Sequence, residues 1–154
     1  MSEQNLMSDQ VGTENRTLLS VRGLKTHFFS RQGTVKAVDG LNFDIAPGET
    51  LGIAGESGCG KSVTTQSILR IVPKNGSIVA GSINFNSPSQ GQVDLVKMDP
   101  KGQDIREIRG AEIAMVFQEP MTSFSAMHTI GNQIIEAIVL HQNITKTVSY
   151  THLT

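Results

Sequence analysis

The chain has 154 residues, with 13 Lys and Arg against 14 Asp and Glu, a formal net charge of −1, and one Cys. That balance gives no electrostatic reason to expect a nucleic-acid partner, and the lone Cys excludes an intramolecular disulfide framework and a multi-Cys metal site. No apolar run approaches the roughly 18 residues needed to span a bilayer, and residues 1–16 lack the charged-then-apolar layout of a secretory signal.

Residues 1–16 are polar and poor in large apolar side chains, so they are expected to form a mobile tail. Order is expected from Leu18. Leu18–Leu24 and Val35–Val38 read as strands, and Leu41–Ile45 alternates apolar and polar as a half-buried strand does. Pro47-Gly48 marks a turn. Thr50-Leu51-Gly52-Ile53-Ala54 is almost wholly apolar and is predicted to be a short strand buried on both faces. A Gly-rich loop follows, then a predicted helix over Lys61–Ile71, ended by Pro73 and Asn75-Gly76.

Beyond the helix, Ser77–Phe85 is β-like, 87–92 is a surface turn, and Val93–Val96 fits an edge strand. Asp104–Arg109 predicts a short helix, and Ala111–Phe117 another strand. Ile130, Ile134, Ile135 and Ile138 share one helical face, which predicts an amphipathic helix over Thr129–Leu140. The order of elements predicts an α/β domain with an antiparallel β layer beside it.

Gly55-Glu56-Ser57-Gly58-Cys59-Gly60-Lys61-Ser62 fits the pattern G-x-x-x-x-G-K-[ST]. Glycines let the backbone wrap closely around a phosphate, and successive N–H groups form an anion nest. A helix starting at Lys61 aims the positive end of its dipole at the same place, so the N–H groups from Gly55 through Val63 are candidate phosphate donors. Lys61 supplies an ammonium for the β- and γ-phosphates. The Ser62 hydroxyl suits Mg²⁺, a hard ion that prefers oxygen. Cys59 needs only to be small there, since a lone Cys carries no redox motif. The dinucleotide fingerprint G-x-G-x-x-G is not met, and N-K-x-D, the guanine reader that a switch GTPase needs, is absent.

Three stretches carry a family resemblance: Val35–Leu41, Gly48–Ile53 with the loop and Val63-Thr64, and Glu112–Ser123, which contains Phe117-Gln118-Glu119-Pro120-Met121-Thr122-Ser123. They resemble the ATP-binding subunits of ABC transporters, of the dipeptide and oligopeptide importer group, from about Leu18 to about Asn143. The resemblance implies the phosphate-loop nucleoside triphosphate hydrolase fold of the ABC ATPase type, with ATP and Mg²⁺ as cofactors. It also implies that Gln118 is the loop glutamine that contacts Mg²⁺ and the attacking water. An aromatic from a loop between the first two strands stacks on adenine in that family. Phe28 is the best match, with Phe29 as rival. The implied partners are a second nucleotide-binding subunit and transmembrane permease subunits, at the cytoplasmic face of the membrane.

Some family parts are not found. After Thr122-Ser123 the family pattern Leu-Asn-Pro is replaced by Phe124-Ser125-Ala126, and no Ser-Gly-Gly occurs. No apolar strand ends in Asp-Glu, and no His matches the family's late histidine. Residues 17–146 are therefore expected to be the N-terminal part of the nucleotide-binding domain. Residues 147–154, β-branched and uncharged, are expected to be an atypical and non-native tail. The expected function is that of an ATPase subunit powering import of di- or oligopeptides, in truncated form. The alternatives are an inactive ATP-binding fragment, or an energising subunit for nickel or another small solute. Without further strands beside it, the run before the phosphate loop is expected to expose an edge that favours aggregation.

Overall fold

The computed structural model describes residues 17–118 and 124–141. The expected N-terminal tail, the segment 147–154 and residues 119–123 lie outside the described residues. The chain divides into two compact units, 1–106 and 107–154.

The first unit is built on a four-stranded antiparallel sheet of β1 (Leu19–Ser30), β2 (Gly33–Ile45), β3 (Gly76–Ser87) and β4 (Gly91–Asp94), in the order β2-β1-β3-β4. The helix α1 (Lys61–Ile68) lies between β2 and β3 in sequence. Leu19, Val21, Leu24 and Thr26 of β1 are buried. That set keeps a period of two except for one extra residue between Val21 and Leu24. The register against β2 slips at the same place, where Arg22 and Gly23 face the single residue Asn42. This β-bulge returns Leu24 to the buried face that an unbroken strand would have turned it from. Gly23 N–H donates to Asn42 Oδ1 at 2.7 Å, so the bulged amide is satisfied.

The close crossing at this point dictates a glycine on the neighbouring strand. Gly81 has φ +100, and a Cβ there would lie 2.6 Å from both Gly23 O and Leu24 Cα. Leu24, Val38, Leu69, Ile83, Phe85 and Leu95 are buried with this sheet's inner positions. At the far edge, Asp94 Oδ1 accepts from Ile83 N and Val96 N, both at 3.1 Å.

Strand lengths differ from those the sequence predicts. Leu18–Leu24 extends to Ser30, and Val35–Val38 and Leu41–Ile45 join into β2, because Gly40 forms a bulge inside the ladder rather than a break. Val93–Val96 is at the sheet edge as expected, shifted to Gly91–Asp94. The helix predicted over Lys61–Ile71 stops at Ile68. Arg70 takes a left-handed φ of 56, Ile71 N–H donates to Gln66 O, and Arg70 N–H to Ser67 O. That is a Schellman stop formed without glycine.

Two predicted strands do not form. Thr50–Ala54 has irregular backbone, with Leu51 39% and Ile53 47% exposed. Ala111–Phe117 is a turn, a single isolated bridge from Ile113 to Arg109, and then irregular backbone, with Val116 92% exposed. Among the described residues, neither run has a neighbouring strand to pair with. A strand is stable only when its N–H and C=O groups find a ladder, and burial comes with that ladder.

In the second unit, Ile108 O, at the end of α2 (Gln103–Ile108), accepts from Glu112 N at 2.9 Å and Ile113 N at 3.0 Å. The helix α3 (Ile130–His141) matches the predicted amphipathic helix to within a residue. Thr129 Oγ1 accepts from Asn132 N at 3.3 Å and so caps it. Of the predicted apolar face only Ile135 is buried, whereas Ile130 and Ile134 are exposed.

Candidate phosphate-binding site

The loop from Gly55 to Gly60 links the irregular run to α1. Cys59 N–H donates to Glu56 O at 3.3 Å, which closes a tight turn. Gly58 and Gly60 have φ of 81 and 94, where a side chain is disfavoured. At Gly60 the requirement is steric as well, because a Cβ would collide with Ala37 O of β2. Ala37 is the residue that bulges out between the pairs Thr26↔Val38 and His27↔Lys36. A kink in the second strand therefore seats the start of the helix.

Gly60 is the N-cap of α1, and its carbonyl accepts from Thr64 N at 2.9 Å and Thr64 Oγ1 at 3.0 Å. The N–H groups of Lys61, Ser62 and Val63 precede the first intrahelical bond, so the helix itself offers them no acceptor. The first turn holds no acidic residue, and Gly60 makes no side-chain cap bond. This end of the helix thus presents donors and a positive dipole to an oxyanion.

Lys61 Nζ folds back over the loop. It donates to Gly55 O and Glu56 O, each at 2.7 Å, and lies 3.5 Å from Cys59 Sγ. The ammonium is thus held against the loop carbonyls. Cys59 is exposed, and its Sγ stands 2.6 Å from where a Cβ on Gly55 would be. Gly55 must therefore stay small while Cys59 is as the structure has it. Ser62 is exposed on the first turn of α1.

Phe28 does not lie in a loop between the first two strands, as the resemblance implies. It is inside β1, paired with Val35 and Gly76, and the connecting turn is Arg31-Gln32. The strand continues because Phe28, Phe29 and Ser30 all find partners on β2. Thr26 and Phe28 share a face by strand alternation, and Thr26 meets α1 through Ser67. A Cβ on Gly76 would lie 2.7 Å from both the Phe28 ring and Val72 Cγ1, so the ring packs across Gly76 beside the residue that follows α1's exit. Phe28 is half-buried there. Phe29 points the other way and is 50% exposed.

Comparison with known proteins decides the family. The ABC transporter family model matches residues 38–153. The chain belongs to the ABC transporter family. Over 130 residues it is 45% identical to a probable peptide ABC transporter ATP-binding protein, y4tR, of Sinorhizobium fredii, which covers 84% of this chain and 37% of that protein. It is 44% identical over 131 residues to the oligopeptide transport ATP-binding protein AppD of Bacillus subtilis, covering 84% and 38%. It is 43% identical over 130 residues to the dipeptide transport ATP-binding protein DppD of Bacillus subtilis, covering 84% and 37%. The chain spans a little over a third of the length of these curated relatives. An ABC ATPase domain implies ATP binding, and the antiparallel sheet with its helices is the α/β architecture described above.

Gln118, to which the resemblance gives the loop-glutamine role, lies in the second unit. Gln118 is exposed there, at the end of irregular backbone, and belongs to a different unit from the phosphate loop. No cluster of three or more His, Cys, Asp or Glu suited to a metal occurs among the described residues. A hard cation would instead rely on hydroxyl, amide and phosphate oxygens. No helix among the described residues is long and apolar enough to cross a membrane. Three groups that shape the site carry no motif: Ala37 O, Thr26 and Ser67. The one sequence signal is Thr26, a hydroxyl standing where the buried alternation of β1 calls for an apolar side chain.

Proposed function

We propose that this chain supplies the ATP-docking part of an ATP-binding subunit that powers import of di- or oligopeptides. The observation that carries it is the glycine-rich loop: left-handed Gly58 and Gly60, unclaimed first-turn amides on α1, and Lys61 Nζ bonded to the loop carbonyls of Gly55 and Glu56. The names of the relatives support the substrate class.

In this reading the amides of Gly58 to Val63 hold phosphate oxygens, and Lys61 exchanges its bonds to Gly55 O and Glu56 O for the β- and γ-phosphates. Mg²⁺, when bound, would neutralise phosphate charge, and Ser62 of the first unit is its proposed protein ligand. Phe28 is the proposed stacking partner of adenine, which needs no hydrogen-bond reading of the base. The whole subunit pairs with a second nucleotide-binding subunit and docks on transmembrane permease subunits at the cytoplasmic face of the membrane.

A second reading has one observation in its favour. The 154 residues contain no Ser-Gly-Gly and no apolar strand ending in Asp-Glu. In that reading the chain alone binds ATP without turning it over, since phosphoryl transfer to water depends on positioning groups that these residues lack.

Calorimetric titration with Mg·ATP and Mg·GTP, with phosphate release followed in parallel, tests both. ATP binding is expected. Lys61→Ala should weaken it about 100-fold, the loss of two charge-assisted hydrogen bonds. Cys59→Ser should leave it within about twofold, because only a small side chain is required there. Turnover that disappears in Lys61→Ala would overturn the non-hydrolysing reading. Equal affinity of the parent chain and Lys61→Ala would overturn the site itself.

A further inference from the structure

Thr26 Oγ1 on β1 lies 2.8 Å from Ser67 Oγ on α1, and both residues are buried. Ser67 Oγ also lies 2.6 Å from Val63 O, where only a donor fits. A serine hydroxyl has one proton, so Ser67 donates to Val63 O and Thr26 donates to Ser67. The bonds run in one direction from the strand to the first turn of the helix.

The two ends of this relay are informative. Phe28 is two residues along β1 from Thr26, on the same face, about 7 Å away by strand geometry. Val63 is one helical turn before Ser67, about 6 Å along α1, and its amide is among the phosphate donors. Apolar packing would hold the helix on the sheet with little preference for its position along its own axis. A buried hydrogen bond has a length and a direction, and it holds that position. The helix also carries two back-bonds to carbonyls four residues earlier, Thr64 to Gly60 and Ser67 to Val63, both from buried hydroxyls. Such bonds loosen and bend a first turn, which then takes its position from outside.

We propose that the Thr26–Ser67 hydroxyl pair is a positioning device that sets the span between the Phe28 ring and the phosphate-binding amides of α1. It thereby favours ligands that engage both ends at once. The proposal rests on the ATP reading above. A nucleotide gains from the second contact only when the two subsites match its length, whereas a phosphate chain without a base uses one subsite alone.

The test compares ATP with inorganic tripolyphosphate on the full chain. In Thr26→Val, ATP affinity should fall about five- to tenfold, the scale of one buried hydrogen bond. Tripolyphosphate affinity should stay within about twofold, and Thr26→Ser should restore ATP binding. Should Thr26→Val fail to fold, the double variant Thr26→Val with Ser67→Ala removes both partners and leaves no buried group unpaired, and the same split should be seen there. Equal losses for the two ligands would show a merely structural tie and overturn the proposal, with the nucleotide reading intact. Unchanged ATP affinity would do the same. Absence of ATP binding by the unsubstituted chain would overturn the nucleotide reading and this proposal with it.

Discussion

Leu19–Ser30 and Thr50–Ala54 are both apolar-rich runs of the first unit, and they finish in different states. The first alternates imperfectly, contains a glycine and carries a hydroxyl at an inward position, yet it is the central strand β1, with Leu19, Val21, Leu24 and Thr26 buried. The second is more uniformly apolar, yet its backbone is irregular and Leu51 and Ile53 face water. β1 has β2 on one side and β3 on the other, joined along nearly its whole length. Thr50–Ala54 has no ladder among the described residues. Hydrophobicity offers a strand something to bury, but neighbours supply the hydrogen bonds without which the backbone stays solvated. The run 114–117, with Val116 exposed, repeats the lesson in the second unit.

The largest effect that would sharpen this comparison comes from truncating one side chain in each region. Ile83 of β3 is fully buried, and Ile83→Ala should cost about 3 kcal/mol in urea denaturation. Ile53→Ala should change stability by less than about 0.5 kcal/mol. Ile53→Lys should in addition raise the concentration at which light scattering begins, since it breaks an exposed apolar run. A cost at Ile53 close to that at Ile83 would break the comparison.

Glycines give the next contrast. Gly81→Ala meets both a left-handed φ and a Cβ that collides with Gly23 O and Leu24 Cα, so a loss of about 2 kcal/mol is expected. Gly52→Ala, in the exposed run, has nothing within 4 Å of the new methyl. It should be close to neutral in the same assay.

The smallest effect concerns charge at the edge of the sheet. The Arg22 guanidinium donates to Asp44 and holds its carboxyl below the ordinary value of 3.8, and Lys25 does the same for Asp39. A carboxyl whose folded pKa is depressed stabilises the fold above its unfolded pKa, and that contribution is lost as pH falls through the folded value. Both pairs are exposed, so the acid-side loss should be small and should shrink further in high salt. Arg22→Ala should raise the Asp44 midpoint in an NMR titration, with Asp39 unmoved. An unchanged Asp44 midpoint would show the pair to be absent in solution.

Particular residues show which parts were legible in advance. The Gly-rich loop and the start of α1 at Lys61 were, because Gly58 and Gly60 hold a left-handed backbone that a side chain disfavours. Parts of β1 and β2 and the helix α3 were too, since alternation and a period of 3.6 are visible within a short window. The stop of α1 at Ile68 was not, because Arg70 takes a left-handed conformation that propensity assigns to glycine. Phe28 was picked out as an aromatic but assigned to a loop. Its place in β1, on the face that meets α1, depends on β3 and on Gly76 beneath the ring.

By itself, then, the order of residues determined the Gly-rich loop, the start of the helix behind it, much of the alternating strands and the family. All are written in residues close together in the chain, where sterics and charge act directly. Tertiary structure alone decided which apolar runs became strands, which of Phe28 and Phe29 faces the helix, and that Ala37 O and the Thr26–Ser67 pair seat α1. Those outcomes depend on partners dozens of residues away, and a hydrogen bond or a buried face exists only once both partners are in place.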